Sequence, residues 1–241
     1  MALDMSVIHI ILWVLWNISL AWFPVALAFY LARRLRNDLA GGRVRWMLWL
    51  PLLLLWVLFL PNTAYLLTEW RHYLALVNAN PNYVNVYRYG QYPPAATLKL
   101  LMITAFFWTY STLGLVAFFL AVYPLNCLAA EHWNSARLRW LQGLIFLLCS
   151  VGTYLGLVSR FNSWDIFRMM PFVLQKIVDI GLHPILLVIL LVFAAILWLL
   201  YVLFDIWMEG ALTRAQKNPA SIHCALLKKS QTFGMMDSSA V

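Results

Sequence analysis

The sequence predicts an all-α, polytopic transmembrane helix bundle of about five spans, with an interfacial helix on its outer side. Three observations carry this. Of 241 residues, 64% are hydrophobic and only 11% are charged. Mean hydropathy is +0.79. A soluble domain is roughly 45–50% apolar, so this chain has too few charges to keep its surface in water, and lipid must be its solvent. Second, five stretches free of Asp, Glu, Lys and Arg reach the roughly 20 residues needed to cross about 30 Å of hydrocarbon. They are residues 5–32, 46–68, 100–130, 140–159 and 180–204. Third, the net charge of +8 is distributed unevenly between alternate connections.

The first run is too long for a cleavable signal peptide and has Asp4, not basic residues, ahead of it, so it reads as a span. The connection that follows holds Arg33, Arg34, Arg36, Arg43 and Arg45. The third holds Arg137 and Arg139, and the tail holds Arg214, Lys217, Lys228 and Lys229. These eleven lie on one side. Arg71, Arg88, Lys99, Arg160, Arg168 and Lys176 lie on the other. Basic residues accumulate in the cytoplasm, which puts the N-terminus outside and the C-terminus inside. Trp46, Trp133, Trp140 and Trp207 then sit near the inner interface, and Trp70 and Trp164 near the outer one.

The third run is longer than a span requires and tilts or includes interfacial residues. Residues 71–99, with Asn78, Asn80, Asn82, Asn85, Pro81 and Tyr92-Pro93-Pro94, read as an irregular outer loop. Residues 160–180 read as partly helical and surface-lying. Asn162 is placed to cap, with Asp165 three residues on, Pro171 to kink or divide the helix, and Gly181 to stop it. His183-Pro184 then starts the last span. Residues 1–209 form the membrane domain, and residues 210–241 a polar, loosely ordered cytoplasmic tail.

Chemistry gathers at one place. Asn62, Tyr65, Glu69 and His72 are spaced three, four and three. At about 100° per residue they share one helix face. Pro61 lacks an N–H, which frees the carbonyl of Val57 and allows a kink. Counting from Trp46 puts Glu69 at the outer headgroups, and counting from Trp140 puts Arg160 at the same depth. Beside Arg160 stand Asn162, Ser163, Trp164 and Asp165. Opposite charges at a low-dielectric boundary pair, so Arg160 is expected to meet Glu69 or Asp165. Each residue also has a plainer role. Asn162 and Asp165 serve as helix caps, Asn62 as a backbone partner beside Pro61, and Tyr65 and Trp164 as interface anchors.

These two segments resemble the uncharacterised bacterial membrane family DUF1361. Its members carry Leu-Pro-Asn-x-x-Tyr-x-x-Thr-Asp/Glu, here Leu60 to Glu69, and a later Arg-Phe segment ending Asn-Ser-Trp-Asp, here Arg160 to Asp165. The second segment is shorter here than the usual pattern, and Glu69 stands where Asp is commoner. The resemblance covers spans two to five and implies a bacterial inner-membrane protein. It supplies no activity.

Cys127, Cys149 and Cys224 are scattered, with no Cys-x-x-Cys spacing, and one Glu-x-x-His pair at an interface is a weak metal signal. No metal or cofactor is expected, and no nucleic acid. The expected partners are membrane lipid or a membrane protein. The first functional expectation is an outer polar cluster that binds or organises a lipid, an envelope component or a membrane partner. The alternative is a membrane-embedded enzyme acting on a lipid-linked or envelope substrate, with Glu69, His72 and Asp165 as acid–base groups and Arg160 holding an anion. A transporter is less favoured, because no Asp, Glu, Lys or Arg stands mid-span.

Overall fold

The computed structural model describes residues 2–42, 45–90, 93–161 and 163–217. These residues hold helices and no strand. In chain order they are α1 (Ala2–Ala40), α2 (Trp46–Phe59), α3 (Pro61–Tyr65), a 3-10 turn (Leu66–Glu69), α4 (Trp70–Ala79), α5 (Pro81–Tyr89), α6 (Pro94–His132), α7 (Ser135–Leu157), α8 (Asp165–Arg168), α9 (Met170–Leu182) and α10 (Pro184–Lys217). Among the described residues, five helical stretches are long and apolar enough to cross a membrane: Ile8–Ala40, Trp46–Ala79, Pro94–His132, Ser135–Leu157 and Pro184–Arg214.

The chain divides into two compact units, Met1–Trp198 and Leu199–Val241. In the first unit α6 is the central helix. Its apolar window is 44% buried, against 17–28% for the other spans. Its main neighbour is α1, on which Ala21, Val25, Ala28, Ala32 and Leu35 are buried at helical spacing, while Gly114 of α6 packs against Thr63 and Leu66. Small residues let two membrane helices approach closely, which replaces the hydrophobic drive that lipid cannot give. Outside this seam the spans show large apolar side chains, such as Leu12, Phe29, Leu54, Met102 and Leu144, to their surroundings. That is the surface expected of a protein solvated by hydrocarbon.

Side-chain links fix the direction of each helix. At one end Arg36 pairs with Glu131 at 2.5 Å, and Asp38 accepts from Trp49 at 2.7 Å and Arg45 at 3.3 Å. This basic end joins the close of α1 and α6 to the start of α2. At the opposite end Trp13 stacks on His72 at 5.8 Å and on Tyr110 at 6.5 Å. α1 and α6 therefore run one way and α2 to α4 the other. Ser150 of α7 donates to the carbonyl of Leu190 at 2.8 Å, holding the start of α10 to the middle of α7.

α1 extends through the arginines to Ala40, where the sequence reading placed a loop. Leu, Arg and Ala favour helix, and the turn waits for Gly41 and Gly42, the latter at φ 67°. Residues 71–99 are also largely helical. Pro81 and Pro94 each open a helix, where a missing N–H costs nothing, and the N–H of Asn82 bonds to Asn80 Oδ1 at 3.0 Å. The segment 160–180 is divided just ahead of Pro171: α8 ends at Arg168, Met169 is not helical, and Pro171 lies in the first turn of α9, while Gly181 falls inside that helix.

α9 has 13 residues, about 20 Å at 1.5 Å per residue, too short to cross. Val173 and Ile180 are buried with Leu155 of α7 and Leu190 of α10. Phe172, Val178 and Leu182 remain exposed, and Lys176 pairs with Asp179 at 3.6 Å. One face on the bundle and an exposed apolar face beside a charged edge fit a helix lying in the interface.

The second unit is described to Lys217. It continues α10 past the boundary expected at residue 209, with Phe204 against Trp207 at 5.3 Å and Thr213 bonded back to the Glu209 carbonyl at 2.7 Å. The expected loosely ordered tail otherwise lies outside the described residues, as does Cys224.

Candidate binding site at the α3 and α7 ends

The site begins with Pro61. α2 ends at Phe59, Leu60 N–H bonds to Trp56 O at 2.9 Å, and Pro61 opens α3 at a position that needs no donor. The carbonyls at this break find side chains. Thr63 Oγ1 donates to Leu60 O at 2.7 Å, Thr68 Oγ1 to Tyr65 O at 2.7 Å, and Asn62 Nδ2 to Phe59 O at 2.9 Å. Interrupted helices survive in lipid only when their freed backbone groups are met in this way.

Asn62 does more than cap the break. Its Nδ2 also donates to Ser163 Oγ at 2.9 Å, which joins the two segments singled out in the sequence. Packing supports the link. A Cβ on Gly152 would collide with the Pro61 ring, and the Tyr65 ring lies under Gly156. α7 ends at Leu157, and Phe161 N–H reaches back to Leu155 O at 3.1 Å. Arg160 makes that reversal at φ 56°, a left-handed conformation that glycine usually takes. The returning chain lays Phe161 and Ser163 over α3. Between them is a cleft of about 90 Å³, lined by Asn62, Tyr65, Thr153, Gly156, Phe161 and Ser163 among others. Trp164 meets Trp16 of α1 edge-on at 6.0 Å.

Glu69 does not share the face of Asn62. From Leu66 the chain tightens into a 3-10 turn, which advances about 120° per residue instead of about 100°. Over four residues this swings Glu69 by about 80° from the position that α-helical phase predicts. The side chain ends 1% exposed inside the bundle. Its Oε2 lies 3.3 Å from His72 Nδ1 but makes no hydrogen bond. The Tyr65 hydroxyl is directed at the same carboxylate. Tyr110 OH and Asn17 Nδ2 face each other nearby, both buried and both short of a hydrogen bond. Tyr65 is thus a shared wall, with its ring in the cleft and its hydroxyl toward the buried carboxylate.

The expected Glu69–Arg160 pair is not formed. The ionic neighbour of Glu69 is His72, because the 3-10 turn carries it inward while the left-handed turn carries Arg160 outward to an exposed position. Asp165 starts α8, and its carbonyl accepts from Met169 N at 2.7 Å, without lining the cleft. Asn162 lies outside the described residues. The sequence reading missed four participants. Arg71 bonds to His72 Nε2 at 3.2 Å and to the Leu157 carbonyl at 3.4 Å. Trp13, Asn17 and Tyr110 close the buried side. Asn17, an amide within the apolar run of α1, was a readable signal of a polar contact. Among the described residues, no group of three His, Cys, Asp or Glu could hold a metal ion.

Five apolar helices and a polar cluster at the end opposite the arginine-rich turn define a multi-pass helical membrane protein. The chain belongs to the family described as protein of unknown function DUF1361, whose model matches residues 16–200. No curated protein and no solved structure matches it.

Proposed function

We propose that this is a multi-pass protein of the bacterial cytoplasmic membrane, N-terminus outside, that binds the headgroup of a lipid or lipid-linked envelope component at its outer end. The reading rests on the cleft that the Asn62–Ser163 bond closes. Its floor and rim offer an amide, a hydroxyl and a phenol ring, its inner walls are apolar, and Arg160 stands exposed beside it. A headgroup rich in oxygen fits such a mixture, with the guanidinium taking a phosphate. About 90 Å³ holds a phosphate or one edge of a sugar. The test is lipid analysis of the purified full chain. Wild type should carry one enriched headgroup species that Asn62→Leu loses at unchanged yield. A lipid profile equal to that of the host membrane in both would end the proposal.

The enzyme reading keeps one supporting observation. A buried carboxylate, an imidazole and a phenol meet at Glu69, His72 and Tyr65, beside the cleft. Such a group can move a proton. A change in envelope lipid content on Glu69→Gln, with protein level unaltered, would favour it. Unchanged content would leave the binding role alone.

A further inference from the structure

We infer that the apolar cavity at the basic end of the bundle is a second lipid site, taking one acyl chain of an anionic bilayer phospholipid with its phosphate beside Arg137. The cavity measures about 570 Å³, within the roughly 300–1,000 Å³ of ordinary ligand pockets. It lies between α2 and α7, with α1 and α6 behind. Leu53, Val57, Val122, Leu125, Ile145 and Leu148 are among its walls.

Its origin is the packing at the other end. Pro61 seated against Gly152 holds α3 and α7 together there, while Gly143, in the first half of α7, has nothing within 4 Å of its Cβ position. The gap is dry by construction. Of its polar residues, Gln142 donates to Asn126 at 2.8 Å, and His132 Nδ1 is bonded to the Leu128 carbonyl at 3.0 Å. Water needs two to four polar partners and finds few here. Leu144, 54% exposed, stands at the mouth, and the cavity wall belongs to the membrane-crossing stretches Trp46–Ala79 and Ser135–Leu157. The mouth therefore faces lipid tails.

The headgroup assignment follows from charge. Trp46 and Trp133 line the cavity and are exposed, as side chains at a headgroup boundary are. Arg137 precedes the lining residue Leu141 by four, so it sits on the same face one turn nearer the end. Arg36 and Arg45 are engaged by Glu131 and Asp38. Arg137 makes no ion pair with a described residue, which leaves its guanidinium for a phosphate.

The test is native mass spectrometry of the full chain in detergent, titrated with phosphatidylglycerol or with phosphatidylcholine of the same chains. One phosphatidylglycerol should be retained about fivefold more tightly, the effect of one surface cation. Arg137→Gln should abolish that preference and keep the weaker chain binding. Ala129→Phe, which fills the cavity, and Leu144→Trp, at an exposed position on its mouth, should each reduce retention of both lipids by about tenfold or more. No retained lipid on wild type would overturn the inference. So would equal retention in Leu144→Trp, or a dimer that this change dissolves, since a second copy would then occupy the gap.

Discussion

Asn62 and Ser163, 101 residues apart, share a 2.9 Å hydrogen bond at the end of the bundle where α3 and the α7 turn meet. The same amide nitrogen serves the Phe59 carbonyl at 2.9 Å. One side chain thus repairs the backbone break before Pro61 and ties together two remote segments. Asn62→Ala should cost about 1–2 kcal/mol, from two hydrogen bonds lost in a partly buried place. Ser163→Ala should cost less. The double variant should fall short of the sum by about 0.5–1 kcal/mol in thermal unfolding in detergent. Additive losses would mean that the bond contributes nothing.

Glu69 should couple to His72 and not to Arg160. The carboxylate lies 3.3 Å from the imidazole, whereas Arg160 turns outward. In double-mutant cycles, Glu69→Gln with His72→Gln should deviate from additivity, and Glu69→Gln with Arg160→Gln should add within about 0.5 kcal/mol. The reverse pattern would restore the ion pair expected from sequence.

Two glycines of α7 make an internal control. Gly152→Ala drives a Cβ into the Pro61 ring, whereas nothing lies within 4 Å of a Cβ on Gly143. The first change should destabilise by about 1–3 kcal/mol, as overpacking does. The second should be neutral or slightly stabilising, since alanine suits a helix better than glycine. Equal effects in a melting measurement would contradict the close approach of α3 and α7.

Arg160 should trade stability for function. At φ 56° an arginine pays roughly 1 kcal/mol that glycine does not. Arg160→Gly should therefore raise the unfolding temperature while weakening retention of the headgroup ligand. A fall in both would make Arg160 a structural residue.

How far the sequence could be read follows from which forces are local. The five spans were legible because crossing hydrocarbon demands a long uncharged run, and each run is present. The short helix α9 was legible as one that does not cross, because residues 169–174 are apolar but too few. The helices within 71–99 were not legible, because Asn80, Pro81 and Pro94 were weighed as loop residues when they also start helices. At the site, Asn62, Tyr65 and Ser163 line one cleft. Glu69 was misplaced because periodicity assumes one helical pitch, and the 3-10 turn after Tyr65 depends on packing against Gly114 of α6. Nothing local marks Tyr110 as the residue that closes the buried side.

Orientation is open to a direct check. With eleven basic residues on one side and six on the other, reporter fusions after Gly42 and Val241 should read cytoplasmic, and fusions at Asn80 and Lys176 extracytoplasmic. A cytoplasmic signal at Asn80 would move the cleft to the inner face.

The most direct test of the central claim, a headgroup site in the α3–α7 cleft, is photo-crosslinking in intact membranes. A photoreactive residue would replace Phe161, which lines the cleft, and in a parallel protein Phe172, which is exposed on α9. Mass analysis of the adducts should give one discrete headgroup-bearing species at Phe161 and the bulk phospholipid mixture at Phe172. The same bulk mixture at both positions would contradict the account.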